Sequence, residues 1–292
     1  MLNTATDMIV ATTITAVREA VARYRASGSS VAFVPTMGAL HSGHISLVER
    51  ARKEADATVM SIFVNPLQFG PNEDLSRYPR PVEDDEIMAR EAGVDILFRP
   101  DVEDMYPDSR EVTVTAGSVA NVWEGASRPG HFDGVLTVVA KLFNIIQPDV
   151  AVFGRKDLQQ AVLIKAMVQD LDIPVRMVVA PIVRERDGLA LSSRNRFLTE
   201  HNRMSALSLS QALQEVRRAF ARGEHDAAAL ERVGMSALAH DSAVGIDYFA
   251  VVNGSTLARD ADANKRSAVI VAARVGSTRL IDNMTLGGDD ED

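Results

Sequence analysis

The densest chemistry in this chain sits in one run, Pro35-Thr36-Met37-Gly38-Ala39-Leu40-His41-Ser42-Gly43-His44. Gly38 and Gly43 let the backbone take positive φ or approach a ligand closely. The run follows an apolar stretch and opens a helical pattern, so it places free backbone N–H groups and a partial positive charge in the loop. Those features suit a phosphate. His41 and His44 lie three residues apart and can face the same side of a first helical turn. There, two imidazoles can donate to phosphate oxygens or protonate a leaving group. A turn with two surface histidines would share the spacing, but a glycine-framed loop holding both favours chemistry. Zinc ligation with His131 as a third ligand is the other reading; no HExxH accompanies it, and no side-chain metal site is expected.

A second cluster, Phe153-Gly154-Arg155-Lys156-Asp157-Leu158-Gln159-Gln160, also follows a strand pattern and begins a helix. Lys156 offers a point charge to a phosphate. Asp157 can cap the helix or accept from ribose hydroxyls. Gln160 lies one turn beyond Lys156 and can point the same way. Taken alone, the cluster also reads as a capped helix with solvated charges. A third cluster, Leu191-Ser192-Ser193-Arg194-Asn195, pairs hydroxyls with an arginine fork, a good clamp for phosphate oxygens; a helix cap with an ion pair is the plain alternative. Asn65 and Gln68 sit among Phe63, Pro66, Leu67 and Phe69, a composition suited to a small, partly branched, hydroxylated acid. Arg128-Pro129-Gly130-His131-Phe132-Asp133-Gly134 precedes a strongly apolar helix pattern and reads as a lid or a tight loop.

These clusters need a scaffold, and the chain writes one. Short β-branched runs at 31–34, 58–64, 94–98, 150–153 and 175–179 alternate with helical patterns at 44–55, 81–92, 134–147 and 158–171. In the first of these helices Ile45, Val48, Ala51 and Ala55 form a one-sided stripe. Repeated strand–helix–strand units imply α/β architecture: a Rossmann-like parallel sheet with helices on both faces. Such sheets bind ligands outside the carboxyl ends of their strands, near a switch in strand order, and the clusters fall mostly in loops after strands. Past residue 182 the pattern changes. Helices are expected at 199–222 and 226–240, and strands at 246–252, 268–273 and 278–282. The division expected is a Rossmann-like domain at 1–182, a smaller α+β domain at 183–286 closing over the site, and an acidic, solvated tail at 287–292.

The 292 residues carry a formal net charge of −9 and no cysteine. Disulfides, thiolate nucleophiles and cysteine-bound zinc are excluded, and a reducing, cytoplasmic setting fits. The charge disfavours a nucleic-acid partner, which would need a surplus of Lys and Arg. No run of ~18 apolar residues predicts a membrane span, and no secretory signal is expected at the N-terminus.

In their order and spacing, the loop at 35–44, the Phe63–Phe69 segment, the Arg128–Val135 run, the Phe153–Gln160 run and Leu191–Asn195 resemble the pantothenate synthetase family. The resemblance covers the chain apart from a short N-terminal extension and the acidic tail. The first and last of these segments are also similar to the signature loops of nucleotidyltransferases related to class I aminoacyl-tRNA synthetases. It implies a ligase that joins pantoate to β-alanine with ATP as substrate and Mg2+, through a pantoyl adenylate, releasing AMP and pyrophosphate. It also implies that Met37, Gly38, Ala39, Leu40, His41, Ser42, Gly43, His44, Gly154, Arg155, Lys156, Asp157, Val183, Leu191, Ser192, Ser193 and Arg194 line the ATP site. His44 matches the proton donor; His41, Lys156 and Arg194 join it as catalytic cations. Gln68 and Gln160 match the pantoate-holding residues, with Asn65 and Arg128 beside them. A homodimer is implied as well. Two positions depart from the pattern: Arg155, where Glu or Gln is common, and Leu191, where Met is common. The rival readings are another adenylate-forming nucleotidyltransferase of the superfamily and a nucleotide-binding module without turnover.

Overall fold

The computed structural model describes residues 8–71, 73, 75–107, 111–239 and 241–288. The acidic run Asp289–Asp292, expected to be a solvated tail, lies outside them. The chain divides into two compact units, Met1–Gly154 with Leu163–Ala180, and Arg155–Val162 with Pro181–Asp292.

Strands and helices alternate from β1 (Ile9–Ala11), α1 (Ile14–Ala26), β2 (Val31–Thr36), α2 (Ser42–Glu54) and β3 (Ala57–Ile62) to α3 (Val82–Glu91) and β4 (Ile96–Phe98). Then come α4 (Val102–Met105), α5 (Glu124–Ser127), α6 (His131–Ile146), β5 (Val150–Gly154), α7 (Leu158–Asp170) and β6 (Arg176–Ala180). The six strands pair in the order β1-β4-β3-β2-β5-β6, and every pairing is parallel. β3 is buried at all six positions, as a strand covered on both faces must be. Adjacent residues serve opposite faces: Phe33 packs with α1 and α6, whereas Ala32 and Val34 pack with α2 and α3. The first strand and helix, β1 and α1, precede residue 31, where the sequence pattern assigns no element. Thr13 caps α1 by accepting from the Ala16 N–H, and Val17, Ala20 and Val21 bury its inner face.

From β2 the chain winds outward through β3 to β4, then returns to add β5 and β6 on the other side. The switch in strand order therefore lies between β2 and β5. The loops that leave the carboxyl ends of these two strands begin at residues 37 and 155, where the sequence concentrates its chemistry.

In the second unit, α8 (Glu200–Ala221) and α9 (Ala227–Leu238) pack on an antiparallel sheet of β7 (Val244–Asn253), β8 (Ser267–Val275) and β9 (Thr278–Thr285). This is the smaller α+β element expected. Among the described residues, no helix is long and apolar enough to cross a membrane.

Candidate active site

The loop after β2 is held in a conformation that its sequence alone would not settle. Gly38 has φ +81° and Ala39 φ +50°, so two successive residues adopt left-handed backbone. Alanine takes that region reluctantly, and a compensating contact is needed. Asp85, in the first turns of α3 and only 2% exposed, supplies it. Its Oδ2 accepts from the Ala39 N–H at 2.8 Å and its Oδ1 from the Leu40 N–H at 2.7 Å. Glycine is required at position 38 on a second count: a Cβ there would lie 2.8 Å from Asp85 Oδ2 and 2.9 Å from Ile62 Cγ2.

The turned loop delivers His41 to the N-cap of α2. His41 Nδ1 accepts from the Gly43 N–H at 3.1 Å, and His44 Nδ1 accepts from the His41 N–H at 3.3 Å. This is a reciprocal capping box built from two histidines, with ring centroids 4.1 Å apart. A nitrogen that accepts a hydrogen bond carries no proton, so each neutral ring has its hydrogen on Nε2. Both imidazoles are thus fixed as Nε2–H donors by the cap itself, at the positive end of a helix.

Beside this loop lies the segment after β3. Asn65 caps the 3-10 turn Pro66–Gln68. Its amide nitrogen donates to Gln68 Oε1 and to the Gly134 carbonyl, each at 3.1 Å, and its Oδ1 accepts from Tyr106 Oη at 2.8 Å. Gln68 Nε2 in turn donates to Met37 Sδ at 3.0 Å, which links this segment to the first loop. Asn65 therefore spends its polar atoms on protein and acts by orienting Gln68. Gly134 permits the close approach of α6, since a Cβ there would lie 2.3 Å from the Leu67 carbonyl oxygen.

Arg128 forms a fork with Glu73, Nε to Oε1 at 2.7 Å and Nη2 to Oε2 at 2.6 Å. Its Nη2 also reaches the Gln68 carbonyl at 3.3 Å. Burial alone raises the Glu73 carboxyl, but the Arg128 fork outweighs it and holds the group below its ordinary value. His131 donates from Nδ1 to the Gln68 carbonyl at 2.8 Å, and its Nε2 meets Arg128 Nη1 at 3.0 Å. Burial, helped by the neighbouring guanidinium, lowers its pKa to about 4. It is a neutral structural imidazole with both nitrogens engaged, which removes it from the zinc reading.

In the second unit, the 3-10 turn Arg155–Asp157 carries Lys156, whose Nζ lies 3.9 Å from Asp157 Oδ1. Asn283 Nδ2 donates to the carbonyls of Arg155 and Lys156, each at 3.0 Å, and Arg155 Nη1 donates to Thr285 Oγ1. Residues 183–191 form a small hairpin: the Leu191 N–H donates to the Val183 carbonyl at 3.0 Å and Gly188 turns the chain at φ +98°. Ser192 Oγ then accepts from the Arg194 N–H, capping the 3-10 turn Ser193–Phe197. Asn195 donates to Glu185 Oε1 and to the Ala190 carbonyl, each at 3.0 Å, which ties the serine–arginine turn to the hairpin. Arg184 grips Asp282 with both terminal nitrogens, at 2.6 and 2.9 Å. Burial raises the Asp282 carboxyl, against the pull of Arg184 and, more weakly, of Lys156.

Sequence patterns do not mark Glu73, Tyr106, Asp282 or Asn283 as site residues. Asp84 and Asp85 suggest a water-mediated Mg2+ contact or a helix-dipole complement; Asp85 instead spends both oxygens on the loop backbone. One usable signal is the polar pair Asp282-Asn283 set between Ile281 and Met284, because polar residues rarely sit in a core without a task.

An open parallel sheet with a histidine-capped loop at its switch point defines an α/β chain built to hold a small anionic ligand outside its strand ends. Comparison sharpens that class. Residues 9–285 match the family model described as pantoate-beta-alanine ligase. The chain is 49% identical over 281 residues to the pantothenate synthetase of Desulfitobacterium hafniense, covering 96% of this chain and 100% of that one. It superposes on the crystal structure of pantothenate synthetase from Thermus thermophilus with a TM-score of 0.91 and 47% identity, over 96% and 99% of the two chains. A pantoate-beta-alanine ligase from Francisella tularensis, solved with beta-gamma ATP and beta-alanine, matches with a TM-score of 0.77 and 36% identity, over 96% and 98%. The chain belongs to the pantoate–β-alanine ligase family. The match runs from residue 9 to 285, which leaves a short N-terminal segment and the acidic tail outside it, as the resemblance implies.

Proposed function

We propose that the chain activates pantoate with ATP at the loop after β2, forming pantoyl adenylate and pyrophosphate, and then passes the pantoyl group to the β-alanine amine. In the first step a carboxylate oxygen of pantoate bonds to the α-phosphorus and the bond to the β-phosphate oxygen breaks. In the second the amine attacks the acyl carbon and AMP departs. Such chemistry depends on positioning and on spreading negative charge. The observation that carries the proposal is the double histidine cap, which holds His41 and His44 as Nε2–H donors on a helix start.

In this reading Lys156, Arg194 and the Ser192-Ser193 hydroxyls contact triphosphate oxygens, with Gly154, Arg155, Asp157, Val183 and Leu191 as further nucleotide contacts. Gln68 and Gln160 hold pantoate. Asn65 and Arg128 act at one remove: Asn65 orients the Gln68 amide and Arg128 grips its carbonyl. Ala39 and Leu40, whose side chains are buried and whose N–H groups belong to Asp85, contribute the shape of the loop.

Mg2+ fits as a passenger on the nucleotide. Both oxygens of Asp85 serve the backbone, and among the described residues no three His, Cys, Asp or Glu side chains gather into a metal cage. An ion bound mainly through phosphate oxygens and water needs few protein ligands. A cytoplasmic homodimer acting on small molecules, with no nucleic-acid partner, completes the proposal. It is tested by isotope exchange between ATP and pyrophosphate: exchange should require pantoate and should not proceed with amino acids in its place. Exchange that is indifferent to pantoate overturns it.

A further inference from the structure

We propose that Asn283 is a positioning residue for Lys156, and that Asp282 and Arg184 hold Asn283 in that task. The Arg155 carbonyl belongs to the peptide plane before the Lys156 Cα, and the Lys156 carbonyl to the plane after it. One side-chain amide donates to both, each at 3.0 Å. Fixing the two planes fixes φ and ψ at Lys156, and with them the direction in which its side chain leaves the backbone. A three-residue 3-10 turn has few hydrogen bonds of its own to do this.

Asn283 is in turn held by its own neighbours. It is 3% exposed, its N–H donates to Asp282 Oδ1 at 2.8 Å, and its carbonyl accepts from Arg184 Nη2 at 3.2 Å. Arg184 closes the circuit by gripping the Asp282 carboxylate and the Gly188 carbonyl. One buried network on β9 thereby ties the Lys156 turn to the hairpin that carries Val183 and Leu191. Its long-range hydrogen bonds join residues 98, 99, 127 and 128 positions apart, so the network sets the registry of segments distant in sequence.

The proposal rests on Lys156 meeting the triphosphate, and a double-mutant cycle separates the two ideas. Asn283→Ala, Lys156→Ala and the double variant are compared in pantoate-dependent ATP–pyrophosphate exchange, with thermal melting to confirm folding. Misplacing a reacting group by about 1 Å costs ~100-fold, so Asn283→Ala should lower kcat by about 10–100-fold. The KM for pantoate should stay within about threefold. In the Lys156→Ala background the same substitution should cost less than about threefold, because nothing remains to be positioned. Full, additive loss in both backgrounds overturns the proposal, as does a wild-type rate for Asn283→Ala. A wild-type rate for Lys156→Ala instead sinks the assignment of Lys156 itself. Should Asn283→Ala not fold, Asn283→Ser keeps one donor for the two carbonyls. An intermediate kcat loss that vanishes without Lys156 supports the role, and an unchanged or additive one refutes it.

Discussion

Replacing Asp85 by asparagine tests whether a carboxylate holds the catalytic loop in its left-handed turn. Asp85 and asparagine have nearly the same shape, so packing around Gly38 and Ile62 is kept. In the native chain two backbone N–H groups each meet a carboxylate oxygen at 2.7–2.8 Å. Hydrogen bonds to a charged acceptor contribute about 1.5–3 kcal/mol each. Asparagine retains one oxygen, a weaker neutral acceptor, and turns the other site into an NH2 that faces an N–H. The variant therefore loses about 2–4 kcal/mol, after part of the cost of burying a carboxylate is returned. In a unit of this size 1 kcal/mol moves the midpoint by about 2–4 °C, so melting of the first unit should fall by roughly 5–15 °C. The loop should also relax away from the Ala39 conformation, loosening the His41–His44 cap. At temperatures well below the new midpoint, kcat/KM for ATP should then drop by about tenfold or more. Calorimetry and the exchange assay read these effects separately. An Asp85→Asn protein with an unchanged midpoint and unchanged kcat/KM refutes the clamp.

Lys156→Ala and His44→Ala should each lower turnover by about a hundredfold or more while circular dichroism stays native, since one positioned donor to developing charge is worth roughly 3–4 kcal/mol. His131 gives a pH signature. Its folded pKa of about 4 lies below the ordinary 6.5, so between those values the unfolded chain binds the extra proton. Stability from this group is full above pH ~6.5 and is lost as pH falls toward ~4, by up to about 3 kcal/mol. Urea midpoints of wild type and His131→Gln should therefore converge across that window; a constant difference sinks the assignment.

Local signals in the sequence locate most elements well. One-sided apolar stripes mark α2, α6 and α8, β-branched runs mark β2, β3 and β5, and glycine–histidine spacing marks the first loop. The miss at β1 and α1 has a physical cause on one side only. A three-residue edge strand carries almost no periodicity, whereas α1 announces itself through the Thr13 cap and its Val17, Ala20, Val21 face. What cannot be read is pairing at a distance. Asp85 meets its partners 45 and 46 residues away, and Asn283 meets its own 127 and 128 residues away. A carboxylate that clamps a loop and one that faces water have the same local sequence context, and only the folded sheet separates them.

The histidine pair shows why the local signal is strong where it is. Helix starts are usually capped by Ser, Thr, Asp or Asn, whose short side chains end at the cap. Imidazole has two nitrogens on opposite edges of one rigid ring. Nδ1 accepts a backbone N–H of the helix start, which on the neutral ring places the hydrogen on Nε2. One residue type thus satisfies the backbone and, on the proposed reading, serves the site, and the cap dictates the tautomer. Two such residues three positions apart can cap each other's turn, which an Asp or Ser pair could do only by giving up the outward donors. On the proposed reading the spacing in the sequence is both a structural requirement and a catalytic one, and a residue that meets only the first would leave a well-formed helix with nothing to offer a phosphate beyond its backbone.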